Sequence, residues 1–319
     1  MVRERLVVIG APTSAGAYGP GQERAPSALR AAGLFDCLHQ RRIPCEDAGD
    51  VPGYRWHVDR LHPRARNGEQ VARVARAVAG RVRAALDNQA AVLVIGGDCT
   101  IELGTVAGSL RQGEQLGLVY IDLDTDLNTP DSTDDGALDW MGVAHLLAID
   151  GTVPDLAALG PKTPMLGADQ VLYFANDNSL PFERAVIEER KISEVPLAAV
   201  VADPIGAARS VVEGWGARFD KLLVHVDLDV LNGDDMPLAE NCRTRGLLFE
   251  HLVAALKVLV AAPNWVGLTV AELNPDHGQE DGSTLRRFNE RLADILACSP
   301  GLKLETAPDA EGFRRPDMG

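Results

Sequence analysis

Three acidic motifs dominate the chain: Asp122-Leu-Asp124-Thr-Asp126, Asp227-Leu-Asp229 and Glu272-Leu-Asn-Pro275. Each follows a short apolar run, which places it at the mouth of a predicted strand. Side chains alternate along an extended chain, so Asp122, Asp124 and Asp126 are expected to share one face, with Asn128 continuing the line. No Lys or Arg interrupts either Asp run. Carboxylates this close repel one another unless a cation lies among them or some keep their protons. One such strand end reads as a solvated turn. Three on one sheet point to a metal site.

A fourth segment, Gly96-Gly-Asp98-Cys99-Thr100, lies between the apolar run Ala91–Ile95 and a helical pattern. Its glycines allow a sharp turn that leaves Asp98 and Cys99 at the top of the sheet. Taken alone, it reads more simply as Asp98 capping the next helix and Cys99 buried as a small apolar side chain.

The elements that must position these residues are legible as apolar runs suited to buried parallel strands. They are Leu6–Ile9, Ala91–Ile95, Leu116–Ile121, Val171–Phe174, Leu222–Val226 and Val266–Val270, with weaker candidates at Ile43–Ala48 and Ile192–Val195. Helical spacing appears at Gln70–Ala85, Leu247–Val260 and Thr284–Ala297. Strand and helix alternating along the chain predict an α/β fold with a parallel sheet covered on both sides, and ligands beyond the strands' carboxyl ends. A closed barrel of eight strands predicts the same placement. No composition break marks a linker, so residues 1–304 read as a single domain. The stretch 305–319, rich in Pro, Asp, Gly and Arg, reads as disordered or as an oligomer contact. Thr13–Gln22 reads as a flexible loop without dinucleotide-binding spacing.

The formal net charge of −15 argues against nucleic acid and anionic membranes and suits a cationic small-molecule substrate. The five cysteines are scattered without CxxC spacing, as expected of reduced thiols. The N-terminus runs into the first strand with no signal-peptide pattern, and no apolar run approaches the ~20 residues of a spanning helix. These features read as cytoplasmic.

The order and wording of the four motifs resemble the arginase/agmatinase (ureohydrolase) superfamily, whose pattern is Gly-Gly-Asp-His-Ser, Asp-Ala-His-x-Asp, Asp-x-Asp and Glu-x-Asn-Pro. Ala25-Pro-Ser-Ala-Leu-Arg-Ala-Ala-Gly-Leu34 and Asp47-Ala-Gly-Asp50 fit the resemblance. It implies a three-layer α/β/α fold around an eight-stranded, mostly parallel sheet, and a homo-oligomer, trimer or hexamer. It also implies hydrolysis of a guanidino or amidino C–N bond by a metal-activated water, with manganese as cofactor. Carried over by position, Asp122, Asp126, Asp227 and Asp229 match metal-binding aspartates. The family's two metal-ligand histidines fall on Cys99 and Asp124, and its active-site histidine on Asp139. The Ser and Asn that contact substrate fall on Asp135 and Ala137, while Asn128 is retained and Glu272 matches the Glu near the guanidinium. In this frame Asp126 orients the attacking water and passes on its proton. Asp139, ionised at an ordinary carboxylate pKa of about 3.9, serves as a second anchor for a cation.

These departures change the charge balance. Five carboxylates and a thiolate around two divalent ions leave about −2, which a cationic substrate, retained protons, a nearby Arg or a single ion would offset. Sulfur favours zinc or iron and oxygen favours manganese, so one or two ions remain open. Loss of the Ser and Asn contacts disfavours free arginine. A far end that is neutral or cationic fits better. The alternative is a non-catalytic relative that binds a ligand or regulates an active partner. Trp140 is expected to line the pocket, His145 to be a core residue, His225 to lie no nearer than behind the ligands, and Asp234 and Asp235 to be solvated.

Overall fold

A computed structural model describes residues 3–302, so the stretch from 305 lies outside the described residues. Eight strands form one sheet: β1 (Leu6–Gly10), β2 (Cys45–Asp50), β3 (Ala91–Ile95), β4 (Leu116–Ile121), β5 (Val171–Asn176), β6 (Ser193–Pro196), β7 (Lys221–Asp227) and β8 (Trp265–Ala271). Their spatial order is β2-β1-β3-β8-β7-β4-β5-β6, and every pairing is parallel. The sheet has two edges, β2 and β6, which removes the closed-barrel alternative.

The two faces follow from residue alternation within fully apolar strands. Leu6, Val8, Leu93 and Ile95 pack with the helices Leu34–Gln40, Phe249–Val260 and Ser283–Leu296. Val7, Ile9, Val92 and Val94 face Val71, Val74, Val78 and Val82 of the helix Gly68–Asp87, and Ile101, Leu103 and Val106 of the helix Ile101–Ser109. Each such side chain, fully buried, contributes about 1.5–3 kcal/mol. The result is three layers, α/β/α. Among the described residues no helix is long and apolar enough to cross a membrane.

The four central strands in spatial sequence, β3, β8, β7 and β4, are the four that carry the acidic and Cys99 motifs at their carboxyl ends. Adjacent parallel strands end side by side, which is why residues from 99 to 272 in sequence converge. Thr13–Gln22, expected to be flexible, is packed instead. Thr13, Ser14 and Gln22 are buried, and Gly16 N–H donates to the Asp98 carboxylate at 2.9 Å. His145 is a satisfied core residue, its Nδ1 at 2.6 Å from the Met141 carbonyl and its Nε2 accepting from Val153 N–H.

Candidate metal centre

Neither Asp run continues its strand. Asp122 accepts from the backbone N–H of Asp124 at 2.7 Å, and Asp227 does the same for Asp229 at 2.7 Å. Each Asp-x-Asp is therefore a side-chain-closed turn rather than an extended segment. That corrects the alternation expected from sequence. The carboxylates gather because the chain curls, not because it alternates. Asp126 and Glu272 then adopt left-handed backbone angles, φ 50° and 59°, unusual for residues with a Cβ. Such conformations cost of order 1–3 kcal/mol and persist where surrounding contacts fix them. Here the Asp126 carbonyl accepts from Ala144 N–H at 3.1 Å, and Glu272 N–H donates to the Gly97 carbonyl at 2.8 Å. Gly97 itself is obligatory, since a Cβ there would meet the Thr13 carbonyl oxygen at 2.0 Å.

Two triplets of donor atoms emerge. Cys99 Sγ and oxygens of Asp122 and Asp227 lie within 4.8 Å of one another, as do oxygens of Asp122, Asp124 and Asp229. Asp122 belongs to both. Asp126 belongs to neither, and its Oδ2 accepts the Tyr120 hydroxyl at 2.5 Å. Above them opens a cavity of about 510 Å³, lined in part by Asp124, Asp126, Asp139, Asp227, Asp229 and Glu272.

The electrostatics are those of a cation site. Asp122, Asp227, Asp229 and Glu272 are each less than one-tenth exposed. Burial, reinforced by the neighbouring carboxylates, pushes the carboxyl groups of Asp122, Asp229 and Glu272 well above the usual range. Asp227 is also raised by burial, opposed by hydrogen bonds from Asp229 N–H and the Cys99 thiol. The Cys99 thiol is driven up by burial and by Asp227. Asp122 Oδ2 and Asp229 Oδ1 are buried without a hydrogen-bond donor, with only each other's carboxyl groups at hand. Orphaned acceptors in an acidic cluster fit a metal ion.

Behind the sulfur runs a buried chain. His225 Nε2 stands 3.3 Å from Cys99 Sγ, and its Nδ1 stands 3.3 Å from Glu102 Oε2. The imidazole is stacked on Tyr120 with ring centroids 4.3 Å apart. Cys99 Sγ is also 3.2 Å from Asp227 Oδ2, while Glu272 Oε1 accepts from Cys99 N–H at 2.9 Å.

Two sequence-derived substrate residues point elsewhere. Asp135 accepts from Arg66 at 2.6 Å and from Ala137 N–H, and Asn128 is held by Glu183 at 2.9 Å and by Ser132. Neither lines the cavity. Asp139 does, and burial, followed by the charge of Asp98, pushes its carboxyl well up. It therefore meets the condition for carrying a proton, which the ordinary carboxylate value did not. Trp140 lines the cavity beside Tyr18, centroids 6.4 Å apart.

Sequence reasoning missed the residues that reach the site from other segments. Gln22 donates to Glu272 Oε2 at 2.9 Å. Asn178, two residues past β5, donates to Asp124. Arg243 bonds to Asp124 and lies 3.0 Å from Asp229 Oδ2. No motif marks it. The absence of a positive residue inside the Asp runs holds in sequence and fails in space.

A family model described as the Arginase family matches residues 4–297. Arginase-1 of Homo sapiens is 28% identical over 294 residues, covering 91% of this chain and 91% of that protein. Arginase of Bacillus caldovelox is 28% identical over 277 residues, covering 85% of this chain and 91% of its own. The solved structure of a Bacillus caldovelox arginase matches with a TM-score of 0.82 at 24% identity, over 92% of this chain and 98% of that one.

Proposed function

This chain belongs to the arginase family, and we propose that it is a metal-dependent hydrolase cleaving a C–N bond of a guanidino or amidino substrate. The observation that carries the proposal is the orphaned buried acceptor Asp122 Oδ2, common to both donor triplets, whose neighbours Asp227 and Asp229 line an acidic cavity.

Cys99, Asp122 and Asp227 would hold the ion. When bound, a divalent ion lowers the pKa of a coordinated water and so supplies a nucleophile at neutral pH. Asp126 faces the cavity with one oxygen committed to Tyr120, leaving the other to orient the attacking water and take its proton. Glu272 is fixed by Gln22 and by Cys99 N–H, and is aimed to accept from the N–H groups of an amidinium. Asp139, whose carboxyl is pushed up by burial and then by the charge of Asp98, lines the cavity and is placed to exchange a proton at its wall.

The far end of the substrate meets Glu240 and Asp124, and Arg243, which two carboxylates already hold. A substrate carboxylate would meet a guanidinium whose charge Asp124 and Asp229 already share, with only its Nη1 unpartnered. A cationic or neutral far end is favoured, although not through repulsion by Asp135, whose charge Arg66 balances. One observation favours the non-catalytic alternative: the guanidinium of Arg243 lies across Asp124 and Asp229.

The test is a panel of guanidino and amidino compounds assayed with manganese or zinc, with urea and released amine quantified separately. Turnover that chelator removes and metal restores is expected, together with a metal-induced rise of several degrees in melting temperature. No turnover on any compound, with no thermal response to either ion, sinks the proposal.

A further inference from the structure

We infer that this chain is built to hold a single metal ion, at Cys99, Asp122 and Asp227, with the guanidinium of Arg243 standing in the place of a second. The inference rests on the metal-dependent reading above and narrows it.

The two triplets differ in the charge set against them. Both oxygens of Asp124 are taken, one by Arg243 and the other by Asn178. Arg243 Nη2 also lies 3.0 Å from Asp229 Oδ2. An ion at the outer triplet would find Asp229 Oδ1 and the Asp122 oxygens it shares with the inner triplet. Such an ion would also stand beside the guanidinium of Arg243, whose like charge opposes it. In the inner triplet Asp122 Oδ2 is orphaned, Asp227 accepts from Asp229 N–H and from the Cys99 thiol, whose proton an ion would displace, and among the described residues no Lys or Arg pairs with Asp122 or Asp227. The guanidinium serves the outer position through one nitrogen, Arg243 Nη2, which reaches both Asp124 and Asp229, while Nη1 is buried without a partner.

Arg243 is also held there by its backbone rather than by its long side chain alone. Its carbonyl accepts from Gly233 N–H at 2.7 Å, and it bridges to Asn232, just past Asp229. Leu247 N–H donates to the Val230 carbonyl at 2.8 Å, and Asn232 N–H to the Leu247 carbonyl at 2.8 Å. Gly246, with φ 132°, lets the two segments touch, since a Cβ would meet the Val230 oxygen at 2.5 Å. The segment that carries Asp229 and the segment that carries Arg243 are thus laced together.

Elemental analysis and calorimetric titration with zinc and with manganese on the full chain test this. The unaltered protein is expected to bind about one ion per chain, and Arg243→Met about two, the second at least ~10-fold tighter than any second binding to the parent. Because Arg243→Met leaves two carboxylates unbalanced and can unfold the chain, Asp124→Asn supplies an independent reading. It should leave the ion count unchanged and the affinity within about threefold. Two ions in the parent, a loss of an ion in Asp124→Asn, or a folded Arg243→Met that still binds one would each overturn the inference while leaving a metallohydrolase intact. No ion in the parent would instead sink the metal-dependent reading itself.

Discussion

Among the described residues no Lys or Arg pairs with Asp122 or Asp227, and Cys99 meets only the His225 imidazole, whereas Asp124 and Asp229, on the same two acidic turns, share the guanidinium of Arg243. Cys99 and Asp122 are almost fully buried and lie outside the cavity lining, while Asp227 reaches the cavity. The outer group borders a cavity and is open to a side chain arriving from the 230–247 segment. The halves thus differ most at their ends, the buried thiol of Cys99 against the partly exposed carboxylate of Asp124. A protein can bring an arginine to a rim, but desolvating one beside a buried thiol costs far more than admitting an ion that several donors can enclose.

The largest expected effect comes from the residue common to both halves. Asp122→Asn should lower metal-dependent turnover by about 10³-fold, because it removes a donor from each triplet. In the chelated protein the same change should raise the melting temperature by a few degrees. Asp122 is buried among Asp227, Asp126 and Asp229, and Asn keeps the oxygen that accepts from Asp124 N–H while adding donors for those neighbours. Scanning calorimetry with and without chelator checks both halves of the claim. A chelated variant less stable than its parent would show that the carboxylate is satisfied without a cation.

The pH dependence follows from the same repulsion. Asp122, Asp126, Asp229 and Glu272 have raised carboxyl pKa values, and Asp98 is raised to about 6, so the folded chain holds protons that the unfolded chain has released. Stability then falls as pH increases. For Asp98 the loss runs from the unfolded value near about 4 up to about 6. For the others it continues further. Bound metal competes with those protons and gains affinity as pH rises, so it should flatten or reverse the trend. Melting temperatures from pH 5 to 8, with chelator and with ion, decide it. A chelated protein more stable at the upper end would remove the electrostatic account of the inner half.

His225 separates the halves next, because it touches only the inner one. It lies between Glu102 and the Cys99 sulfur and has no contact with Arg243. His225→Gln should weaken ion binding about 10–100-fold, the range for partners that orient a ligand. In the cobalt-loaded protein the sulfur-to-metal absorption should shift in the variant. An unchanged spectrum with unchanged affinity would leave the imidazole a packing residue against Tyr120.

Much of the fold was legible because central strands of a parallel sheet are apolar on both faces and so stand out as runs. β3 and β4 match theirs residue for residue. The edges were less clear. β2, Cys-Glu-Asp-Ala-Gly-Asp, buries little and carries no apolar signal beyond its start, so its bounds fell two residues late of those expected. The acidic motifs were legible for the reason that makes them converge, a fixed place at a strand end. Arg243 was not, since its position depends on backbone bridges between 230–233 and 243–247 that leave no spacing to read. Asp135 was assigned to the cavity by position, and only the structure reveals the arginine that turns it away.

The smallest effect should come from Asn178, an exposed residue that touches the outer half alone. Asn178→Ala removes one donor from Asp124. Water at the cavity mouth can replace that donor, and Arg243 still holds the other oxygen. A net hydrogen bond of this kind contributes about 1 kcal/mol, so KM should rise no more than about fivefold. Ion affinity should not move, since no atom of the inner triplet loses a partner. Side-by-side measurement of KM, kcat and ion affinity distinguishes the outcomes. If Asn178→Ala weakened ion binding as much as His225→Gln, the outer carboxylates would be ligands after all, and the division between a metal-held interior and an arginine-held rim would fail.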